Sequence, residues 1–124
     1  MDGASTVELA GRPSSVWSAR VFTGGVLGDG GVEASVVELA VLLVSELVTN
    51  AVVHARSAVR VTVHVDAHWV RVEVEDEGPG RPLVRPFTRD QLNGRGLGVV
   101  DRLATDWGAE RRAHCKVVWF EIAR

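Results

Sequence analysis

The sequence predicts an α+β fold: a two-layer α/β sandwich with helices on one face of a mixed, mostly antiparallel sheet. Three observations lead there. Val32 to Ala55 is apolar nearly all round, the mark of a helix buried in a core. Arg60 to Asp66 and Trp69 to Asp76 are valine-rich and alternate in character, as half-buried strands do. The order of segments is a strand and helices, then a hairpin, a loop, a helix and a second hairpin, which segregates helices to one side of a sheet. A chain of 124 residues fits one domain, spanning 1–124.

The elements follow in chain order. Val7 to Ala10 is a short strand closed by Gly11 and Pro13. Pro13-Ser14-Ser15 opens a helix with Val16, Trp17, Ala19, Val21 and Phe22 as its apolar positions. Glycines 24, 25, 28, 30 and 31 then predict a loop, because glycine is a poor helix former. The long buried helix comes next, and after it the two valine-rich strands, joined by a tight turn at Ala67-His68. Glu77 to Asn93 reads as a loop, and Gly94 to Gly98 leads into an apolar helix over Leu97 to Ala104. Two strands close the chain, about Trp107 to Arg112 and Lys116 to Ala123.

Composition excludes several function classes. The net charge is −2 and the pI about 6.1, which offers no electrostatic grip on nucleic acid or on an acidic membrane. Cys115 is the only cysteine, so neither an intramolecular disulfide nor a thiolate metal cluster is expected. Met1-Asp2-Gly3 opens no basic and apolar leader, and the longest purely apolar run, Leu39 to Val44, is far shorter than the roughly 20 residues of a membrane span. A cytoplasmic location is the expectation. Lys116 is the only lysine among many arginines, a usage that suggests a GC-rich coding sequence.

Chemistry concentrates in three places. On the long helix Glu46, Asn50 and His54 are spaced i, i+4, i+8 and share one face. A carboxylate among Leu42, Leu43, Val44, Leu47 and Val48 is costly without a partner. The stripe either faces water or forms a site with a carboxylate base, an amide oxygen for a hard cation such as Mg²⁺, and an imidazole near anionic groups. His54 taken alone reads first as a helix-end residue.

The second place is Asp76-Glu77-Gly78-Pro79-Gly80, directly after a strand. Glycines 78 and 80 allow a tight turn and close approach to a flat ligand, and Asp76 can accept a hydrogen bond from an amino group. A plain turn fits the same residues. The third is Gly94-Arg95-Gly96-Leu97-Gly98 before a helix, where free backbone amides and one arginine suit an anion. No Lys-Ser or Lys-Thr follows these glycines, so this is not a P-loop, and the preceding residues lack the strand of a dinucleotide fingerprint. A flexible glycine turn into a helix is the plainer reading.

In this order the three motifs resemble GHKL ATPases, the group that includes gyrase, the heat-shock chaperones and histidine kinases. Ser45-Glu46-Leu47-Val48-Thr49-Asn50-Ala51-Val52-Val53-His54-Ala55 looks like the N box, Asp76 to Gly80 like the first glycine box and Gly94 to Gly98 like the second. The ending Val118-Trp119-Phe120-Glu121-Ile122 resembles small stand-alone members of high-GC bacteria, which are similar to anti-sigma-factor serine kinases. The resemblance runs from about Val7 to Ile122 and implies the Bergerat α/β sandwich. It implies ATP and Mg²⁺ as ligands, with Asn50 on the metal and Asp76 on the exocyclic amine of adenine. Gly78 and Gly80 would line the base pocket, and His54, Gly94, Arg95, Gly96, Leu97 and Gly98 the rest of the nucleotide site. Glu46 would be the general base. Many relatives carry Gly-Lys-Thr before the final Val-Trp, with the threonine near adenine. Here the matching residues are Cys115-Lys116-Val117, which implies the loss of one polar contact at position 117. The lid, Arg81 to Asn93, is short and holds Pro82 and Pro86.

Two functions remain open on this reading. One is a serine/threonine protein kinase and anti-sigma factor that phosphorylates an antagonist protein. The other is a nucleotide-responsive protein-binding module without phosphotransfer. A sensor histidine kinase fragment is disfavoured by the lack of a dimerisation helix pair. The expected partners are a sigma factor, an antagonist protein, or a second copy of the chain, with no direct contact to nucleic acid or membrane.

Overall fold

The alternation of valines sets the sheet. A computed structural model describes residues 3–55, 57–77 and 97–124. It contains strands β1 (Gly3–Leu9), β2 (Val59–Val65), β3 (Trp69–Asp76), β4 (Asp106–Arg111) and β5 (Lys116–Ala123), and helices α1 (Ser14–Asp29), α2 (Ala34–His54) and α3 (Gly98–Leu103). The strands form one five-stranded sheet in the order β1-β2-β3-β5-β4, and each pairing is antiparallel. This is the α/β sandwich expected from the sequence.

Successive residues of a strand point to opposite faces, so the register sorts the sheet into two surfaces. The inner face carries Val61, Val74 and Val118 in one rung and Val63, Val72 and Phe120 in the next, all buried. The outer face carries charge. Arg60 bridges Glu8 at 2.6 Å and Glu75 at 3.2 Å across three strands. Arg71 bridges Glu73 at 2.9 Å and Glu121 at 3.0 Å, and its guanidinium lies 4.1 Å from the centre of the Trp119 ring. The Trp119 indole covers Gly108 on the neighbouring strand so closely that a Cβ there would sit 2.8 Å from the ring. That is why a strand position holds glycine.

Helices α1 and α2 pack on each other and on the inner face. The buried residues of α1 are Ser15, Ala19, Thr23 and Leu27, a strict i+4 row of mostly small side chains. Helix α2 buries Val36, Ala40, Leu43, Val44, Leu47, Val48 and Ala51. Its length and composition would let it cross a bilayer, yet this face is packed against protein.

Several expectations need correction. The glycines at 24, 25 and 28 do not form a loop: α1 runs through them to Asp29. Fully buried Leu27 anchors that last turn, so packing overrides the weak helix propensity of its neighbours. The break comes at Gly31, whose φ of 72° is where glycine is needed. Trp17 and Val21, read as apolar positions of the helix, are 69% and 54% exposed. β1 starts at Gly3 rather than near Val7, because Ser5 and Thr6 continue the pairing with β2. Gly11 makes a close approach that only glycine allows, since a Cβ would stand 2.3 Å from the Ser57 carbonyl oxygen.

Candidate functional site

The valine rungs of the inner face end in a polar one. Register places Leu9, Val59, Asp76, Lys116 and Arg111 side by side on the five strands. Asp76 and Lys116 occupy its middle, and both are buried, with 2% and 7% exposure. The Lys116 Nζ stands 3.4 Å from the Asp76 Oδ2. An opposite charge at this distance is the ordinary means of keeping a buried carboxylate or ammonium in a core.

The C-terminal turns of α2 lie over this rung and leave a pocket. Its walls are Leu47, Asn50, Ala51 and His54 from α2, Val74 and Asp76 from β3, Lys116 and Val118 from β5, and Leu97 just before α3. The mix of apolar walls and a few convergent polar groups is that of a ligand site. Two spacings produce it: positions 47, 50, 51 and 54 share one face of a helix, and 74, 76, 116 and 118 alternate on adjacent strands. The Asn50 Nδ2 is buried with no hydrogen-bond partner among the described residues. A buried amide in that condition is costly and suits a group brought by a ligand.

Of the residues singled out by sequence, Asn50, His54, Asp76 and Leu97 meet in the pocket. His54 is exposed at the end of α2, so it stands at the mouth. Glu46 is half-buried one helical turn before Asn50 and does not line the pocket. Gly98 is the first residue of α3 and is not a wall residue either. Gly78, Gly80, Gly94, Arg95 and Gly96, with the lid 81–93, lie outside the described residues.

Lys116 is the residue sequence reasoning missed. The substitution at position 117 had been expected to cost the pocket a polar contact. Register shows otherwise. Val117 pairs with Glu75 and Glu110 on the outer face and is not among the described residues that line the pocket. The side chain turned toward Asp76 belongs to Lys116. The signal was present: Phe120 and Ile122 are core positions, and counting back by twos reaches Val118 and Lys116. Beside it, the Cys115 thiol is pushed above its usual range, first by burial and then by the Glu75 carboxylate.

The donor set fits the base end of a purine nucleotide, with a carboxylate to accept from an amine and flat apolar walls around it. It fits Mg²⁺ only in part. Among the described residues no group of three His, Cys, Asp or Glu could hold a metal. A cation here would rest on the Asn50 side-chain oxygen together with phosphate oxygens and water, the habit of Mg²⁺.

Fold and pocket together define a nucleotide-binding domain. The family model of the histidine kinase-like ATPase domain matches residues 9–122, so the chain belongs to that family and is an ATP-binding domain of the GHKL type. No curated protein matches the chain.

Proposed function

We propose that the chain is a serine/threonine protein kinase that acts as an anti-sigma factor in the cytoplasm, holding a sigma factor or phosphorylating an antagonist protein. The observation that carries this reading is the course of α2, which sets Glu46 one turn from Asn50 while Asn50 faces Asp76 across the pocket. Asp76 accepts from the adenine amine and the apolar walls flank the base. Asn50 would hold Mg²⁺ together with phosphate oxygens and water, and the ion would neutralise charge on the phosphates. The Glu46 carboxylate takes the proton of a serine hydroxyl as that oxygen bonds to the γ-phosphorus. The bond from the γ-phosphorus to the bridging oxygen breaks, and ADP carries away the electron pair. Such transfer is mostly positioning and charge neutralisation, so a metal-binding amide and a base one turn apart are a sensible minimum.

Glu46→Gln tests the reading. It keeps shape and hydrogen-bonding reach but cannot accept the proton. Calorimetry should give parent and variant similar affinity for MgATP, while transfer of labelled phosphate to the antagonist falls by about 10²–10⁴. Equal transfer rates would remove Glu46 from the role of base. A parent that binds ATP and captures its partner without labelling it would be a nucleotide-responsive binding module instead.

A further inference from the structure

We propose that Lys116 is a second reader of the nucleotide base, donating from its ammonium to the purine ring nitrogen next to the exocyclic amine that Asp76 recognises. This rests on the ATP-site reading above and adds a specificity-determining residue to it. Lys116 is the only lysine in the chain, and it is buried in the pocket wall, 3.4 Å from the Asp76 carboxylate. The ion pairs of the outer face are made by arginine. Register holds Lys116 directly beside Asp76 on the inner face.

The chemistry matches an adenine edge. Position 6 of adenine is an amine donor, and the adjacent N1 is an acceptor. A carboxylate and an ammonium side by side present the complementary acceptor and donor. An ammonium has three donors and a carboxylate about four acceptor sites, so the ion pair can persist while each member also serves the base. Guanine reverses the order, with an acceptor oxygen at position 6 and a donor at N1, and would set that oxygen against the Asp76 carboxylate. The pair therefore selects adenine by two contacts where Asp76 alone supplies one.

Calorimetry with ATP and with 1-deazaadenosine triphosphate, which lacks only the ring nitrogen in question, tests this on the unaltered protein. The parent should bind ATP about tenfold or more tightly than the analogue, the ratio for a hydrogen bond to a charged group. Lys116→Met should bind the two equally. Because this substitution removes a positive charge beside a buried carboxylate, the double variant Lys116→Met with Asp76→Asn serves as a neutral control and should show the same indifference. Equal affinities in the parent, or a preference that survives in the variants, overturns the role of Lys116 and leaves the ATP site standing. A parent that binds neither nucleotide overturns both.

Discussion

Cys115 sits between Arg112 and Lys116 at the start of β5, and its environment disfavours the thiolate. Burial raises its pKa first and the Glu75 carboxylate adds to this, with only partial relief from Arg112. The thiolate is the nucleophile. Alkylation by iodoacetamide, which reports this position alone in a chain with one cysteine, should therefore reach its half-maximal rate at a pH above that of free cysteine. A midpoint at or below the free thiol would contradict the assigned surroundings. The sign for stability follows: the protonated thiol contributes below the ordinary thiol range, and the contribution is lost as pH rises through the folded value. At this scale the site was legible where a residue's type announces chemistry. Asn50, His54, Asp76 and Leu97 were found from motif and spacing, and they meet in the pocket. Lys116 was not found, because a lysine suggests solvent and because the motif was matched by residue type rather than by strand face.

Helix α2 makes its phase testable with two adjacent leucines. Leu43 is fully buried against the inner face, whereas Leu42 is 44% exposed. Leu43→Ala should cost about 2–5 kcal/mol in urea unfolding through lost burial and a residual cavity. Leu42→Ala should stay within about 0.5 kcal/mol. Equal costs would mean that the helix is rotated from the orientation described. The same helix was the easiest element to read, since its apolar length leaves little else for it to be. Strands β2 and β3 were equally plain from their valine alternation. Helix α1 was misjudged at its C-terminal half. Glycine content there signals a loop on local propensity, but the turn is held from outside, by Leu27 in the core and by the packing of α1 on α2. Local rules do not see such support. β1 was cut short for a related reason: its first residues are small and polar, and only the partner strand makes them a strand.

The pocket draws walls from α2, β3, β5 and the approach to α3, so a ligand in it holds the two halves of the chain together. Binding to the native state alone stabilises by about 2.7 kcal/mol at a ligand concentration of 100 Kd. For a domain of this size that corresponds to a rise in Tm of roughly 10 °C. MgATP should give such a shift in a thermal scan. Asn50→Ala should keep the parent's Tm without ligand and make the shift independent of magnesium. A variant that melts well below the parent without ligand would mark Asn50 as a structural amide. The overall architecture was legible because it depends on element order and periodicity. The assembly of the pocket depends on which strands end up adjacent, and no local pattern states that β5 lies between β3 and β4.

That insertion has a consequence for how the protein is made. β4 is synthesised before β5, yet β5 is its strand partner among the described residues, and Asp76 leaves the ribosome well before the lysine paired with it. A nascent chain that stops short of β5 therefore has an unfinished sheet, lacks the lysine beside Asp76 and has half a pocket. Such fragments cannot hold nucleotide and mimic the finished product, and their open strand edge exposes them to chaperones and proteases. Strand order thus makes β5 the element that joins β4 to the sheet and completes the pocket in one step.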